Sequence, residues 1–237
     1  MLPFEEWMTK VEEHVQAHSR PLVGLCYAQS LDGCITDRPG APLSLSGPQS
    51  RQLTHRLRAS FDGILAGIGT LLADDPELTV RLVAGRQPQP IILDSTLRTP
   101  LEARLLRGDR QAPRPWIAAA DPLDPARATR LKAAGAHLLP LPSGPNGLDL
   151  ARLLDLLPAM GIHSLMVEGG AQVITSFLSQ DLADFAVITL APCFLGGLSV
   201  ITPGGLAVGA GRVGYPQLHQ AGCQAIGRDW IVWGRLK

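Results

Sequence analysis

The stretch "FDGILAGIGTLLADDPELTVR", Phe61 to Arg81, decides the architecture. Its opening, "FDGILAG", is an apolar run closed by glycine and predicts a buried strand. "IGTLLADD" follows without a gap and predicts a short helix. Pro76 biases Asp75 away from helical backbone, so the Asp74–Asp75 doublet marks the helix end. Carboxylates at a helix C-terminus oppose the dipole, and that small cost suggests a second use for them. A strand that passes directly into a helix is one unit of the strand–helix alternation of an α/β chain.

The same alternation extends in both directions. Upstream, "LVGLCYAQ" is apolar on both faces, as a central strand should be. "SLDGCITDRPGAPLSLSG" predicts a loop rich in glycine and proline. A helix is predicted from Pro48 to about Ala59, with Ser46 as N-cap and Leu53 and Leu57 on one face. Downstream, strands are predicted in "QPIILD", "RPWIAAA", "AHLLPLP", "HSLMVEGG" and "LADFAVITLAP". Helices are predicted in "DPARATRLKAAG", closed by Gly135, and in "LDLARLLDLLPAMG" and "AQVITSFLSQ". "SGPNG" at 143–147 is a surface loop by composition. This order implies an α/β fold with a mixed, mostly parallel sheet flanked by helices. The end differs: "FAVITLAP" and "RDWIVWGRL" are separated by a long glycine-rich stretch without a helical pattern, which predicts an antiparallel C-terminal edge.

At 237 residues the chain can bury a large core without disulfide or metal staples. Hydrophobic residues at 46% and charged residues at 18% describe a well-cored composition. Basic and acidic residues number 21 each, so the excess of positive charge that nucleic-acid or anionic-membrane binders carry is missing. The expectation is a cytoplasmic protein with neither nucleic acid nor membrane as partner. The start, "MLPFEEWMTKVEEHVQAH", is acidic and amphipathic, with Leu2, Phe4, Trp7, Met8, Val11 and Val15 near one helical face; it lacks the pattern of a signal peptide. Cys26, Cys34, Cys193 and Cys223 form no C-x-x-C pair, and the six histidines form no metal-ligand set. No metal site is expected.

Ligands of open α/β sheets sit at the carboxyl ends of the strands. "SLDG", "GIGT", "LDST" and "EGGA" all leave predicted strands there. In "VEGGAQV", Glu168 ends a strand and two glycines lead into a helix, an arrangement suited either to phosphate or to a plain tight turn. "GIGT" follows the same logic, but position 72 is Leu, so the dinucleotide fingerprint fails, and no P-loop is present. "SLDG" alone has the composition of a type I turn. No nucleophile elbow or Ser-His-Asp order appears.

Taken together, "SLDGCI", "SGPQSRQLTHRLRASFDGILAGIGTLLADDPELTVR", "QPIILDSTLRTP", "GIHSLMVEGGAQVITSFL" and "DFAVITLAPCFLGG" follow the order and spacing of one family. The chain resembles the reductase domain of riboflavin biosynthesis, the C-terminal half of a bifunctional deaminase/reductase, which has a dihydrofolate-reductase-like fold. The resemblance runs from about residue 20 to 237. It implies an N-terminal helical extension over 1–20 and a single reductase domain over 21–237. The implied activity is NADPH-dependent reduction of a ribosylamino-pyrimidine 5′-phosphate to the ribitylamino compound, by a homodimer. By motif position, Thr70, Asp74, Ser95, Gly170, Ala171 and Gln172 are implied at the cofactor. Asp32, Arg58, Leu78, Arg81 and Glu168 are implied at the substrate, with Asp74 and Glu168 catalytic. The arginines would suit the substrate phosphate. Asp74 would face the ligands and Asp75 would cap the turn before Pro76.

The chain departs from many bacterial members at Cys26, where they carry lysine, and at Pro42 and Ser44, where they carry serine and tryptophan. "YAQSLDG" looks more like the archaeal and fungal reductases, which act before deamination on the 2,5-diamino pyrimidine. The implied substrate is 5-amino-6-(5-phosphoribosylamino)uracil. The alternatives are its 2,5-diamino counterpart, another small-molecule NADPH reductase of the same fold, and a non-catalytic nucleotide-binding homologue. The H-x-E and P-C-x-x-C zinc motifs of the deaminase half are absent.

Overall fold

The computed structural model describes residues 4–107, 112–144, 147–206 and 214–236. Leu2 and part of "SGPNG" lie outside them. The chain opens with two short helices, α1 (Phe4–Met8) and α2 (Val11–His18), and not with one continuous helix. Strand β1 (Leu22–Ser30) follows, then β2 (Cys34–Thr36), a short strand inside the segment expected to be only loop. Next come α3 (Pro48–Ser60), β3 (Gly63–Gly67) and α4 (Ile68–Asp74), as the Phe61–Arg81 stretch requires. They are succeeded by β4 (Gln89–Leu93), α5 (Arg104–Arg107), β5 (Trp116–Ala120), α6 (Pro125–Ala133) and β6 (His137–Leu141). Two-residue strands β7 (Ser143–Gly144) and β8 (Gly147–Leu148) take up both ends of "SGPNG", expected to be only loop, and precede α7 (Leu150–Leu156). The chain ends with β9 (Ser164–Val167), α8 (Ala171–Ser179), β10 (Phe185–Ala191), β11 (Leu198–Ser199), β12 (His219–Ile226) and β13 (Asp229–Arg235).

Nine strands form one sheet in the order β12-β13-β10-β1-β9-β3-β4-β5-β6. The seven from β10 to β6 run parallel, and β13 and β12 join antiparallel beyond β10. The mixed sheet with an antiparallel C-terminal edge is thus observed. Central strands are buried on both faces: every residue of β3 and β9 is buried, which explains their unbroken apolar runs. Helices cover both faces, so the apolar interior divides into clusters on either side of the sheet. One lies under α7 and α8 (Leu153, Leu154, Ile174, Phe177) and one under α4 and α6 (Leu71, Leu131). A third, under α3, includes Phe4 and Trp7 of α1, whose ring lies 4.7 Å from that of Phe185 on β10. Two buried aromatics thereby fasten the N-terminal extension to the sheet; each contributes on the order of 2 kcal/mol of apolar burial.

Ser46 does not cap α3. Gly47 occupies the N-cap with no side-chain bond, and Pro48 fills the first turn. The Gly47 N–H instead donates to the buried Asp229 carboxylate at 2.7 Å, and the neighbouring Arg228 donates to Leu45 O at 2.9 Å. The tip of the β12–β13 hairpin therefore holds the segment leading into α3. No helix among the described residues is long and apolar enough to cross a membrane.

Candidate functional site

The strands β1, β3, β4, β9 and β10 are parallel, so their carboxyl ends lie on one side of the sheet. A cleft of about 830 Å³ opens there. Its lining comes from segments far apart in sequence: Cys26 to Ala28 on β1, Gly67 to Thr70 and Asp74 on the β3–α4 connection, Ser95 and Arg98 after β4, and Glu168 to Val173 after β9. Thr36 and Leu198, from the small β2–β11 pair, and Ser44 to Ser46 form its wall.

Two helix starts meet in this cleft. At α8 the N-cap is Gly170, with no side-chain cap, so the first-turn N–H groups are left for a ligand. A Cβ on Gly169 would fall 2.5 Å from Val173, and one on Gly170 would fall 3.2 Å from the Thr70 hydroxyl. Only glycine keeps the β9–α8 turn close to the helix and leaves room before Thr70. At α4 the N-cap is Gly67, again without a side-chain cap. Uncapped amides, a Thr70 hydroxyl between them, and the Ser95 hydroxyl with the exposed Arg98 guanidinium farther along form a donor set that fits a dinucleotide's phosphates.

In the same cleft Arg58 and Glu168 form a bidentate pair. Arg58 Nε donates to Glu168 Oε1 at 2.7 Å and Nη2 donates to Oε2 at 2.6 Å. Their side chains are only 11% and 16% exposed. A third bond, from Arg58 Nη1 to Thr79 O at 2.9 Å, fixes the guanidinium plane. Desolvation opposes the Arg58 charge, but attraction and hydrogen bonding from Glu168 outweigh it and hold its pKa above the ordinary value. Arg58, expected to be a phosphate ligand, already has a carboxylate partner. It presents its remaining N–H groups and orients Glu168.

Asp74 lines the cleft, and burial raises its carboxyl pKa. Its neighbour departs from expectation: Asp75, in left-handed backbone at φ 41°, accepts from Arg104 N–H at 2.9 Å and so caps the start of α5, not its own turn. Thr70, Ser95, Gly170, Ala171, Gln172 and Arg81 also line the cleft. Leu78 and Asp32 are not among its lining residues. Leu78 is 2% exposed and packs in the apolar cluster with Leu71 and Leu97. Asp32 faces away, accepting from Ser30 Oγ and from the backbone N–H groups of Leu195 and Gly196. Those bonds hold its pKa well below the carboxylate range and tie the β1–β2 turn to the loop before β11.

Of the departures, Cys26 is buried in the cleft wall, where burial and then the Glu168 charge push its thiol pKa up, so it stays a neutral thiol. Ser44 also lines the cleft and accepts from Arg51 at 3.1 Å. Arg98 and His55 are among the lining residues that escaped the sequence reading. Arg98 lies three positions after Ser95 at a strand tip, a placement that could have flagged it. His55 precedes Arg58 by one helical turn and shares its face. It is 4% exposed, and its Nδ1 accepts from Arg81 N–H at 3.1 Å. Desolvation, then the Arg58 and Arg81 charges, lower its pKa to about 4. Among the described residues no group of His, Cys, Asp and Glu is placed to hold a metal ion.

Comparison with known proteins identifies the family and the fold. The family model of the RibD C-terminal domain matches residues 21–232. A 2,5-diamino-6-ribosylamino-4(3H)-pyrimidinone 5′-phosphate reductase from Archaeoglobus fulgidus is 36% identical over 75% of the chain and 83% of its own length. The riboflavin biosynthesis protein RibD of Aquifex aeolicus is 37% identical over 76% of the chain, which spans about half (49%) of that relative. Among solved structures, the Saccharomyces cerevisiae riboflavin biosynthesis reductase Rib7 superposes with a TM-score of 0.74 at 25% identity, covering both chains fully. Dihydrofolate reductase from Enterococcus faecalis superposes with a TM-score of 0.50 at 12% identity over 91% of the chain and 97% of its own, a likeness of fold alone. The strand order, the glycine turn after β9 and the family match lead to one assignment: the chain belongs to the RibD C-terminal domain family.

Proposed function

We propose that the chain is an NADPH-dependent reductase of the riboflavin pathway that converts a ribosylamino-pyrimidine 5′-phosphate into its ribitylamino product. The observation that carries this reading is the cleft itself: two uncapped helix starts and the Arg58–Glu168 pair line the same space. Relatives such as the Archaeoglobus fulgidus protein bear the 2,5-diamino name over most of their length. We therefore take the undeaminated pyrimidine as substrate and the uracil form as its comparison.

A nicotinamide held in the cleft would supply hydride for C1′ of the opened ribose. The chain's own groups bind, orient and handle the proton. The first-turn amides of α8 from Ala171 and Gln172, with Thr70, hold the pyrophosphate. Ser95 and Arg98 take the ribose end, where the Arg98 charge favours a 2′-phosphate and so NADPH over NADH. Glu168, locked by Arg58, is an acceptor for ribose hydroxyls in one orientation, which lowers the cost of reaching a near-attack pose. Asp74 is the cleft carboxyl without an arginine clamp. Its raised pKa suits it to deliver the proton that the former imine nitrogen gains as C1′ gains hydride. Arg81, at the exposed mouth, meets the 5′-phosphate. The reductase works as a cytoplasmic homodimer that pairs through the exposed edge strand β12.

The test is NADPH oxidation with the 2,5-diamino and uracil substrates side by side. Turnover of either at rates well above an unrelated imine supports the reading. NADPH binding without oxidation by either refutes it.

A further inference from the structure

Residues 76–81 join no strand or helix, and the last of them, Arg81, lines the cleft. Their backbone groups are satisfied by side chains instead. Arg58 donates to Thr79 O at 2.9 Å. Val80 N–H donates to Gln87 Oε1 at 2.7 Å, and Gln87 Nε2 donates back to Val80 O at 2.8 Å. Arg81 N–H donates to His55 Nδ1 at 3.1 Å. Leu78, in left-handed backbone at φ 55° with its side chain buried, pins the start of this strap. With no ladder to set its path, these few side chains decide where Arg81 leaves the strap.

The Arg81 side chain itself is poorly held. It is 57% exposed, and its nearest carboxylate, Glu77, lies 3.9 Å away. Such a contact contributes little. The position of its guanidinium over the cleft therefore depends on its backbone. Because His55 Nδ1 receives an N–H, the ring proton sits on Nε2 and the imidazole is neutral. Protonation would set a donor against the Arg81 N–H. The groups packed around the ring oppose that charge: Arg58 on the same helix and Arg81 on the strap, against the weaker opposite pull of Glu168.

We propose that His55 is a positioning residue, whose Nδ1 holds the Arg81 backbone and thereby aims the Arg81 guanidinium at the phosphate of the substrate. The inference rests on the proposed function, in which Arg81 meets a 5′-phosphate. It makes His55 a determinant of substrate affinity that touches neither the cofactor nor the reacting carbon.

The experiment compares wild type, His55→Leu and His55→Asn, with circular dichroism to show that each is folded. Asparagine can place its Oδ1 near the position of Nδ1 and accept the same N–H; leucine cannot. The expected result is that His55→Leu raises KM for the phosphorylated pyrimidine at least tenfold, while kcat and KM for NADPH stay within about twofold. His55→Asn should recover most of that affinity, and inorganic phosphate should weaken as a competitive inhibitor in His55→Leu by a similar factor. An unchanged pyrimidine KM in folded His55→Leu overturns the inference alone. So does an Asn variant as impaired as the Leu variant, or a uniform fall in kcat with both KM values raised. A wild type inactive on both pyrimidines overturns the reductase reading and this inference with it.

Discussion

Replacing Glu168 with glutamine removes one negative charge and one of the two acceptors facing Arg58. The glutamine oxygen can still accept from Nε, but its NH2 then stands opposite Nη2, donor against donor. Breaking a buried ion pair from one side costs about 3–5 kcal/mol. The slight exposure of both side chains lets water take part of that load, so we expect a loss of about 2–3 kcal/mol, in line with one charge-assisted bond plus partial desolvation. In a domain of this size each kcal/mol moves Tm by about 2–4 °C, giving a fall of about 5–10 °C. Arg58→Met should cost at least as much, because it also abandons Thr79 O. The assay is thermal unfolding of both single variants and the double variant, evaluated as a cycle. The double variant should be less destabilised than the sum by at least 1 kcal/mol, as expected of residues in direct contact. Additivity within about 0.5 kcal/mol would refute the claim that Arg58 and Glu168 act as one unit. Catalysis gives a second readout, since both singles should lose kcat/KM more than stability alone explains.

Stability should depend on pH through His55. Its folded pKa of about 4 lies below the ordinary 6.5, so between those values the unfolded chain binds a proton that the folded chain does not. The stabilisation is complete above pH 6.5 and is lost as pH falls towards 4, by about 3 kcal/mol. His163, held up by Glu12, acts in the opposite sense near neutral pH and is more exposed. His55→Asn should flatten the acid limb in chemical denaturation; an unchanged limb would count against a buried neutral ring. Asp74→Asn should keep the fold and lower kcat by about 100-fold or more, as for a lost proton donor; full turnover would remove Asp74 from the chemistry. Arg98→Gln should cut the NADPH-over-NADH preference at least tenfold in kcat/KM, and an unchanged ratio would place the 2′-phosphate elsewhere. Gly170→Val should weaken NADPH binding, measured by fluorescence titration, because its side chain would crowd Thr70; unaltered binding would contradict the pyrophosphate placement.

What was legible in the sequence was local or periodic. The strand and helix of Phe61–Arg81, the twice-buried β1 and the glycine turn after Glu168 are set by neighbours within a few residues, and each appears as expected. The antiparallel edge was legible from its last strand, but β12 was not. Its sequence, "HQAGCQAI", is polar or small and exposed along most of its length, so it carries no apolar alternation. Its strand character comes from pairing with β13. Ser46 illustrates the converse, since a good capping residue is bypassed when a buried carboxylate from β13 takes the Gly47 amide.

The sequence by itself determined the family, the strand-helix alternation, and that "GIGT", "LDST" and "EGGA" lie at strand ends, because those follow from periodicity and turn chemistry within short windows. Only the tertiary structure decided which side chains meet. Arg58 finds Glu168 across 110 positions, Asp32 turns to a loop more than 160 residues away, and Leu78 enters the core and not the cleft. Which partner a charge takes depends on the sheet order, which brings β9 and β3 together and packs α3 beside them. Desolvation in that packed space then makes the partner obligatory, a cost that no window of sequence contains.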